Sequence, residues 1–320
     1  MAAKAAKAKP VVDHSDLSGV PPKNPESTMI SDMAATLAGA GIDVERGEPA
    51  PEPAPVAIPV KVDDAFGDVE TGRKFTPPKM IVYGIDGVGK SSFAAQAPDP
   101  IFIPTEIGLN QIGATRMPLA TTYSELVERL TRVANKPHAY QTVVLDTLSG
   151  AEKLIYDKVA RDNGKENIDL VGGGFDKGQK LALTQWQEVV ALLDRCWNRG
   201  MAVLVIAHAR TEKLGDPENP MVEQFAPALH KKTSGELFRR WADATLFLTR
   251  RMSVRKEGQG IMEKQIAVPV GADGGERIIR TAWTPTAVAK NRYEMPIELP
   301  LPKNGGWDEV MKHIQAFYQS

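Results

Sequence analysis

Apolar residues fall into two regimes along the chain, and the change comes near residue 75. From Lys79 onward, short apolar runs alternate with stretches whose apolar residues recur every three or four positions. The runs Met80–Tyr83, Ile101–Ile103, Thr142–Leu145, Met201–Ala207 and Thr245–Leu248 have the length and β-prone composition of buried strands. Between them Leu126, Leu130 and Val133 share one helical face, and Leu181–Trp197 is a long amphipathic stretch. A last helix within 303–320 lines Trp307, Val310, Met311, Ile314 and Phe317 on one face. Thr122-x-x-Glu125 and Ser149-x-x-Glu152 each read as a capping box, and Met252–Arg280 reads as a hairpin. Strands and helices alternating in this way predict an α/β fold with a mainly parallel central sheet flanked by helices.

Residues 1–74 follow no such pattern. They are rich in Pro and Ala, and Phe66 is their lone aromatic residue, so they lack the apolar content to build a core and are expected to be a largely disordered leader. Ser27–Ala40 is the exception, with Ile30, Met33 and Leu37 at helical spacing on a face that needs a partner. The expected organisation is a leader over 1–74, an α/β core over 75–302, and the amphipathic helix over 303–320, packed on the core or on a neighbouring subunit.

Composition narrows the class. The 320 residues are 42% hydrophobic, enough for a substantial core, and the net charge of -1 favours no class of partner. One cysteine, Cys196, excludes an internal disulfide and a multi-cysteine zinc site, and it sits in an apolar helical run as a small buried residue. No apolar run approaches membrane-spanning length, which points to a protein of the cytoplasm with no membrane partner.

The densest chemical signal follows the first strand. Gly84 to Ser91, GIDGVGKS, fits G-x-x-x-x-G-K-[ST] without a gap. Gly84, Gly87 and Gly89 let the backbone curl so that the N–H groups of Asp86, Val88 and their neighbours point at phosphate oxygens, and Lys90 adds a mobile positive charge. Ser91 supplies a hydroxyl for Mg²⁺, and Ser92–Ala97 is expected to open a helix under the same phosphates. ATP with Mg²⁺ is the expected ligand. In sheets of this kind ligands bind at the carboxyl ends of the strands, where Glu106, Asp146 and His208 stand. Asp146 closes TVVLD as a metal-holding carboxylate, Glu106 closes IFIPTE as a base for the attacking water, and His208 follows MAVLVIA as a contact to the terminal phosphate. A turn aspartate, a solvated glutamate and a structural histidine are the plainer readings of the three.

Taken together, GIDGVGKSS, IPTE, TVVLDTLS, VLVIAHA and LFLT resemble the strand order and landmark residues of the RecA core. IVYGIDGVGKSSFAAQAP, GGGFDKGQKL, VIAHA and AKNRY are similar to short phage ATPases of this kind: single-strand annealing proteins, recombinases and other AAA-type nucleotide-binding proteins of phages. The resemblance covers about Phe75–Leu301. It implies a P-loop NTPase with ATP-dependent binding of single-stranded DNA, Lys90 and Ser91 on the nucleotide, Glu106 as catalytic carboxylate and Asp146 on magnesium. It also implies self-association into a ring or filament, work alongside a single-strand DNA-binding protein, and a place in the host cytoplasm.

Two stretches would face DNA in that arrangement. Val171–Lys180 is glycine-rich and carries Lys177 and Lys180; Ala209 to about Ser234 ends in LHKKTS with Lys231 and Lys232. Between Ala209 and Lys256, ten Lys or Arg stand against six Asp or Glu, which suits backbone phosphates, although a solvated surface has similar charge. Phe175, Phe225 and His230 are candidate stacking faces. Lys290 and Arg292 in AKNRY are candidates for cations supplied to a neighbouring subunit's phosphate site, or for plain surface charges. An ATP-driven switch acting on a protein partner without DNA fits the same site, as does, less well, a small-molecule kinase.

Overall fold

The computed structural model describes residues 70–214, 222–257, 264–271 and 275–320. Nearly all of the leader, with the helix expected over 27–40, lies outside the described residues. In chain order the strands are β1 Lys79–Gly84, β2 Pro100–Pro104, β3 Thr142–Asp146, β4 Ala202–Leu214, β5 Val222–Pro227, β6 Ala244–Arg250, β7 Met252–Glu257, β8 Lys264–Pro269, β9 Arg277–Arg280, β10 Lys290–Asn291 and β11 Glu298–Pro300. The helices are α1 Lys90–Ala94, α2 Tyr123–Asn135, α3 Leu148–Asp162, α4 Lys177–Leu181, α5 Leu183–Asn198, α6 Ser234–Trp241 and α7 Gly306–Gln319.

The main sheet runs β11-β9-β6-β1-β4-β3-β2. Its centre, β6-β1-β4-β3-β2, is parallel throughout, as the alternating pattern predicts. β9 and β11 extend it antiparallel at one edge, and the short β10 also pairs with β6. Alternation along β1 sends Ile81 and Tyr83 to one face, packed under α2, α3 and α5, and Met80 and Val82 to the other, under α1 and α7. All four side chains are fully buried, and each such burial stabilises the fold by about 1.5–3 kcal/mol. Trp307, Val310 and Ile314 of α7 join the second face, with Met311 and Phe317 partly buried beside them.

Several boundaries differ from the sequence pattern, each for a local reason. β4 does not stop at Ala207 but continues to Leu214, because HARTEKL forms a two-stranded arm with β5 in which Thr211 and Lys213 face water. The stretch from Ala209 to about Ser234 expected to face DNA is therefore partly strand. Ser149 does not cap α3: Thr147 is the N-cap, its hydroxyl accepting from the N–H of Gly150 at 2.9 Å. Ser149 instead donates to the carbonyl of Ala228, and Glu152 accepts from the N–H of His230 and from the Ser234 hydroxyl. Thr122 does cap α2, but the returning carboxylate of Glu125 accepts from the N–H of Thr121 rather than Thr122. The expected hairpin is β7–β8, a separate two-stranded sheet, after which β9 rejoins the main sheet. No helix among the described residues is long and apolar enough to cross a membrane.

Candidate nucleotide site

The loop Gly84–Ser91 links the carboxyl end of β1 to α1, and close packing dictates its glycines. A side chain at Gly84 would fall against the carbonyl of Leu248 in β6, so only glycine lets the two strands pair there. Gly89 has φ 104°, a backbone state that other residues enter only under strain. Inside the curl, Lys90 is 8% exposed and its ammonium donates to the carbonyls of Gly84 and Ile85 at 3.0 and 3.1 Å. Burial pushes its pKa down, while Asp86, Asp146 and Glu106 pull it back up. Anionic phosphate oxygens are stronger acceptors for that ammonium than the neutral carbonyls it now holds. Val88 is fully buried beneath the loop, while Asp86, Gly87 and Ser92 are exposed. α1 is only five residues long, shorter than expected, with tighter turns carrying the chain on to Ala97. The N–H groups of the loop, more than a helix dipole, therefore make this an anion site.

Around Lys90 the ends of three strands converge. The Ser91 hydroxyl donates to Oδ2 of Asp146 at 2.7 Å, as a shared metal position requires. Asp146 is buried, which raises its carboxyl above the usual range; Ser91 and Lys90 partly offset this and Glu106 adds to it. Thr105 fixes the spacing of these groups, since its N–H donates to the carbonyl of Asp146 at 2.8 Å and its hydroxyl bridges the N–H and carbonyl of Thr147. Glu106 follows directly, half-buried, and its Oε2 lies 2.8 Å from Nε2 of His208. Nδ1 of the same ring lies 3.3 Å from Oδ1 of Asp86. Glu106, Asp146, His208, Lys90 and Ser91, drawn from four separate segments, thus form one constellation. The carboxyl groups of Asp86, Asp146 and Glu106 all act on the Lys90 ammonium, and the all-oxygen donor pair of Ser91 and Asp146 fits Mg²⁺. When bound, that ion neutralises charge on phosphate oxygens.

The other candidates are elsewhere. Lys177 and Lys180 lie on α4, both exposed, and among the described residues neither enters an ion pair. Just before them, Gly172, Gly173, Gly174, Phe175 and Asp176 all have positive φ, and Phe175 stands 90% exposed. Asp176 joins the two expected DNA stretches, meeting Nε2 of His230 at 3.4 Å and Nζ of Lys232 at 3.4 Å, contacts that hold its carboxyl below the usual range. Lys231 is turned to Glu212 at 3.4 Å. Phe225 is not a free stacking face: it packs on Phe247 with ring centroids 5.2 Å apart. The His230 ring is half-buried against Thr233 and Asp176. Lys290 and Arg292 stand at the amino end of β6, opposite the phosphate loop of their own chain. Lys290 donates to the carbonyls of Arg239, Arg240 and Ala242, and Arg292 pairs with Asp243 at 2.9 Å. Cys196 is buried, its thiol pushed up to about 11.

Sequence reasoning missed Arg277, whose Nη1 donates to the carbonyl of Val88 at 3.3 Å from 189 positions away. It also gave no role to Thr105 or Thr147, and it read Glu152 as part of a capping box rather than as the acceptor for the N–H of His230.

A glycine loop leaving a central parallel strand, an enclosed lysine, and a serine–aspartate pair on the adjacent strand ends define a P-loop nucleotide-binding domain. The chain belongs to the AAA domain family, whose model matches residues 76–293. It is also similar to the SPbeta prophage-derived uncharacterized protein YorG of Bacillus subtilis (strain 168), 28% identical over 140 residues. That alignment covers 42% of this chain and 42% of the relative's length.

Proposed function

We propose that this protein is a RecA-like ATPase that hydrolyses ATP with Mg²⁺ and acts on single-stranded DNA in phage recombination or replication, by annealing or strand exchange. One observation carries the reading. The helix that starts beside Asp146 also anchors the cationic stretch: Ser149 holds the carbonyl of Ala228, and Glu152 holds the N–H of His230 at 3.1 Å. Occupancy of the nucleotide site and occupancy of the surface carrying Phe175, Lys177, Lys180 and Lys232 then act on the two sides of one rigid element, α3. An exposed aromatic ring beside several lysines is the combination that single-strand binding uses, stacking for the bases and charge for the backbone. The parallel order β6-β1-β4-β3-β2 supports the RecA-like core. The prophage origin in the relative's name supports a phage setting, and in that setting the protein works in the host cytoplasm, as a ring or filament, beside a single-strand DNA-binding protein.

Chemically, Lys90 holds positive charge where the phosphoryl group becomes more negative, and Glu106 accepts the proton of the attacking water. His208 keeps the Glu106 carboxylate turned toward Asp86 and the phosphate loop.

The test is ATP turnover by the purified chain, with and without single-stranded DNA. Turnover that Lys90→Ala abolishes, that DNA accelerates, and that loses its DNA response in Phe175→Ala/Lys177→Ala is the expected result. Turnover indifferent to DNA would return the chain to the class of switches that act on a protein partner, and wild-type turnover in Lys90→Ala would overturn the site itself.

A further inference from the structure

We propose that Arg277 is a positioning residue of the nucleotide site, clamping the Val88–Gly89 peptide so that its N–H stays turned into the phosphate cradle. The inference rests on the nucleotide-binding reading of the loop and adds to it a residue from the far edge of the sheet. Nη1 of Arg277 donates to the carbonyl of Val88 at 3.3 Å. The same nitrogen stands 3.0 Å from the place a side chain on Gly89 would occupy, so the guanidinium lies directly against the loop. The peptide it touches is planar and trans, so its carbonyl and its N–H point in opposite directions. A cation fixed on the oxygen therefore holds the Gly89 N–H facing the other way, and polarises it into a stronger donor.

Arg277 is built to stay there. Its backbone is paired on both sides, with Arg250 of β6 and, through its carbonyl, with the N–H of Leu301 at 3.0 Å. Its charge is also unshared: Arg210, Arg251, Arg280 and Arg292 each meet a carboxylate, whereas among the described residues Arg277 meets none. An unpaired, partly buried guanidinium is costly unless anionic or dipolar groups face it, and a phosphate-binding loop provides both. Gly89 serves the same contact, because any side chain there would displace the guanidinium as well as strain the backbone.

The experiment compares ATP and ADP affinities of full-length wild type, Arg277→Gln and Arg277→Lys, using displacement of a fluorescent ADP analogue, with Lys90→Ala as control and melting of the nucleotide-free proteins alongside. Because ATP and ADP share the phosphates nearest the loop, Arg277→Gln is expected to weaken both equally, by about tenfold, with Arg277→Lys in between and nucleotide-free melting unchanged. Unchanged affinity would overturn the proposal. So would weakening of ATP alone, which would make Arg277 a contact to the terminal phosphate, or a melting loss in the nucleotide-free protein that accounts for the affinity loss. If wild type binds neither nucleotide, or Lys90→Ala binds as well as wild type, the nucleotide-site reading falls and the clamp with it.

Discussion

The imidazole of His208 bridges two carboxylates, with Nε2 2.8 Å from Oε2 of Glu106 and Nδ1 3.3 Å from Oδ1 of Asp86. One ring thereby ties the end of β2, the middle of β4 and the tip of the phosphate loop. A carboxylate held by an imidazole is positioned but engaged, and it acts as a base for water only as far as that ring lets it turn.

Glu106→Gln keeps the size and the hydrogen bond but loses the base, so nucleotide affinity should persist while hydrolysis falls by about 10²–10⁴-fold. His208→Asn should leave affinity nearly intact and change turnover by a smaller factor, since it loosens Glu106 and the tie to the exposed Asp86 without removing Lys90 or the N–H groups of the loop. Steady-state turnover and nucleotide titration on the same samples separate the two effects. Loss of binding in Glu106→Gln would make Glu106 a structural residue.

Asp146 gives a stability prediction whose sign follows from its burial. Its folded pKa is raised above the ordinary 3.8, so its contribution to stability is complete only below the unfolded value and is lost as pH rises through the raised one. At neutral pH the unfolded chain ionises this carboxyl more readily than the folded one does, and that difference opposes folding of the nucleotide-free protein. Asp146→Asn should therefore melt higher than wild type at pH 7, by about 2–4 °C for each kcal/mol relieved, with the gain shrinking as pH falls toward 4. Melting curves without nucleotide or metal at the two pH values check this, and a lower-melting Asn variant at pH 7 would show that the Ser91 bond outweighs the burial cost.

Gly150 lies in the first turn of α3, where alanine would ordinarily stabilise a helix by about 0.5–1 kcal/mol. Here a side chain would run into the Thr105 hydroxyl and come within 2.9 Å of Cγ of Glu106. Gly150→Ala is expected to lower the melting temperature and slow hydrolysis with little effect on nucleotide affinity, because the loop itself is untouched. A stabilised variant with normal turnover would mean that Thr105 and Glu106 yield at no cost.

What the sequence makes legible is local. Gly84–Ser91 is contiguous and its residue types are set by backbone geometry, so the loop and the ligand class could be read directly. Asp146 and Glu106 end apolar runs, and a carboxylate that closes a buried run marks the end of a strand. The arm of β4 was hidden because a solvent-facing ribbon carries polar residues that read as loop. α6 is only eight residues long, and its amphipathic turn of Leu237, Phe238 and Trp241 follows directly on the cationic stretch read for DNA. Thr147 rather than Ser149 caps α3 because Ser149 has a tertiary partner in Ala228, and no capping pattern can anticipate that. Arg277 is invisible for the same reason: its meaning comes from strand order, which brings β9 beside the loop only after β6 has paired with β1.

Lys290 and Arg292, two apart in the chain, reach the same segment but are engaged differently, and that separates their expected effects. The Lys290 ammonium donates to three carbonyls at and just past the end of α6, with its pKa lowered chiefly by burial. A charged donor on the free carbonyls of a helix end stabilises by about 1–3 kcal/mol. Lys290→Met should therefore lower the melting temperature while leaving turnover per folded molecule unchanged. Arg292 is 56% exposed and, among the described residues, Asp243 is the one carboxylate it meets, an interaction worth at most about 1 kcal/mol at a surface. Of the two it is the one free to reach the phosphate site of a neighbouring subunit, where a cation supplied in trans raises hydrolysis by about 10³–10⁵-fold. If it does so, Arg292→Ala melts almost like wild type and is inactive, and mixing it with inactive Lys90→Ala restores part of the activity, because some interfaces pair an intact loop with an intact arginine. Normal turnover in Arg292→Ala, or no recovery in oligomers verified to contain both variants, leaves Arg292 as the partner of Asp243 and nothing more.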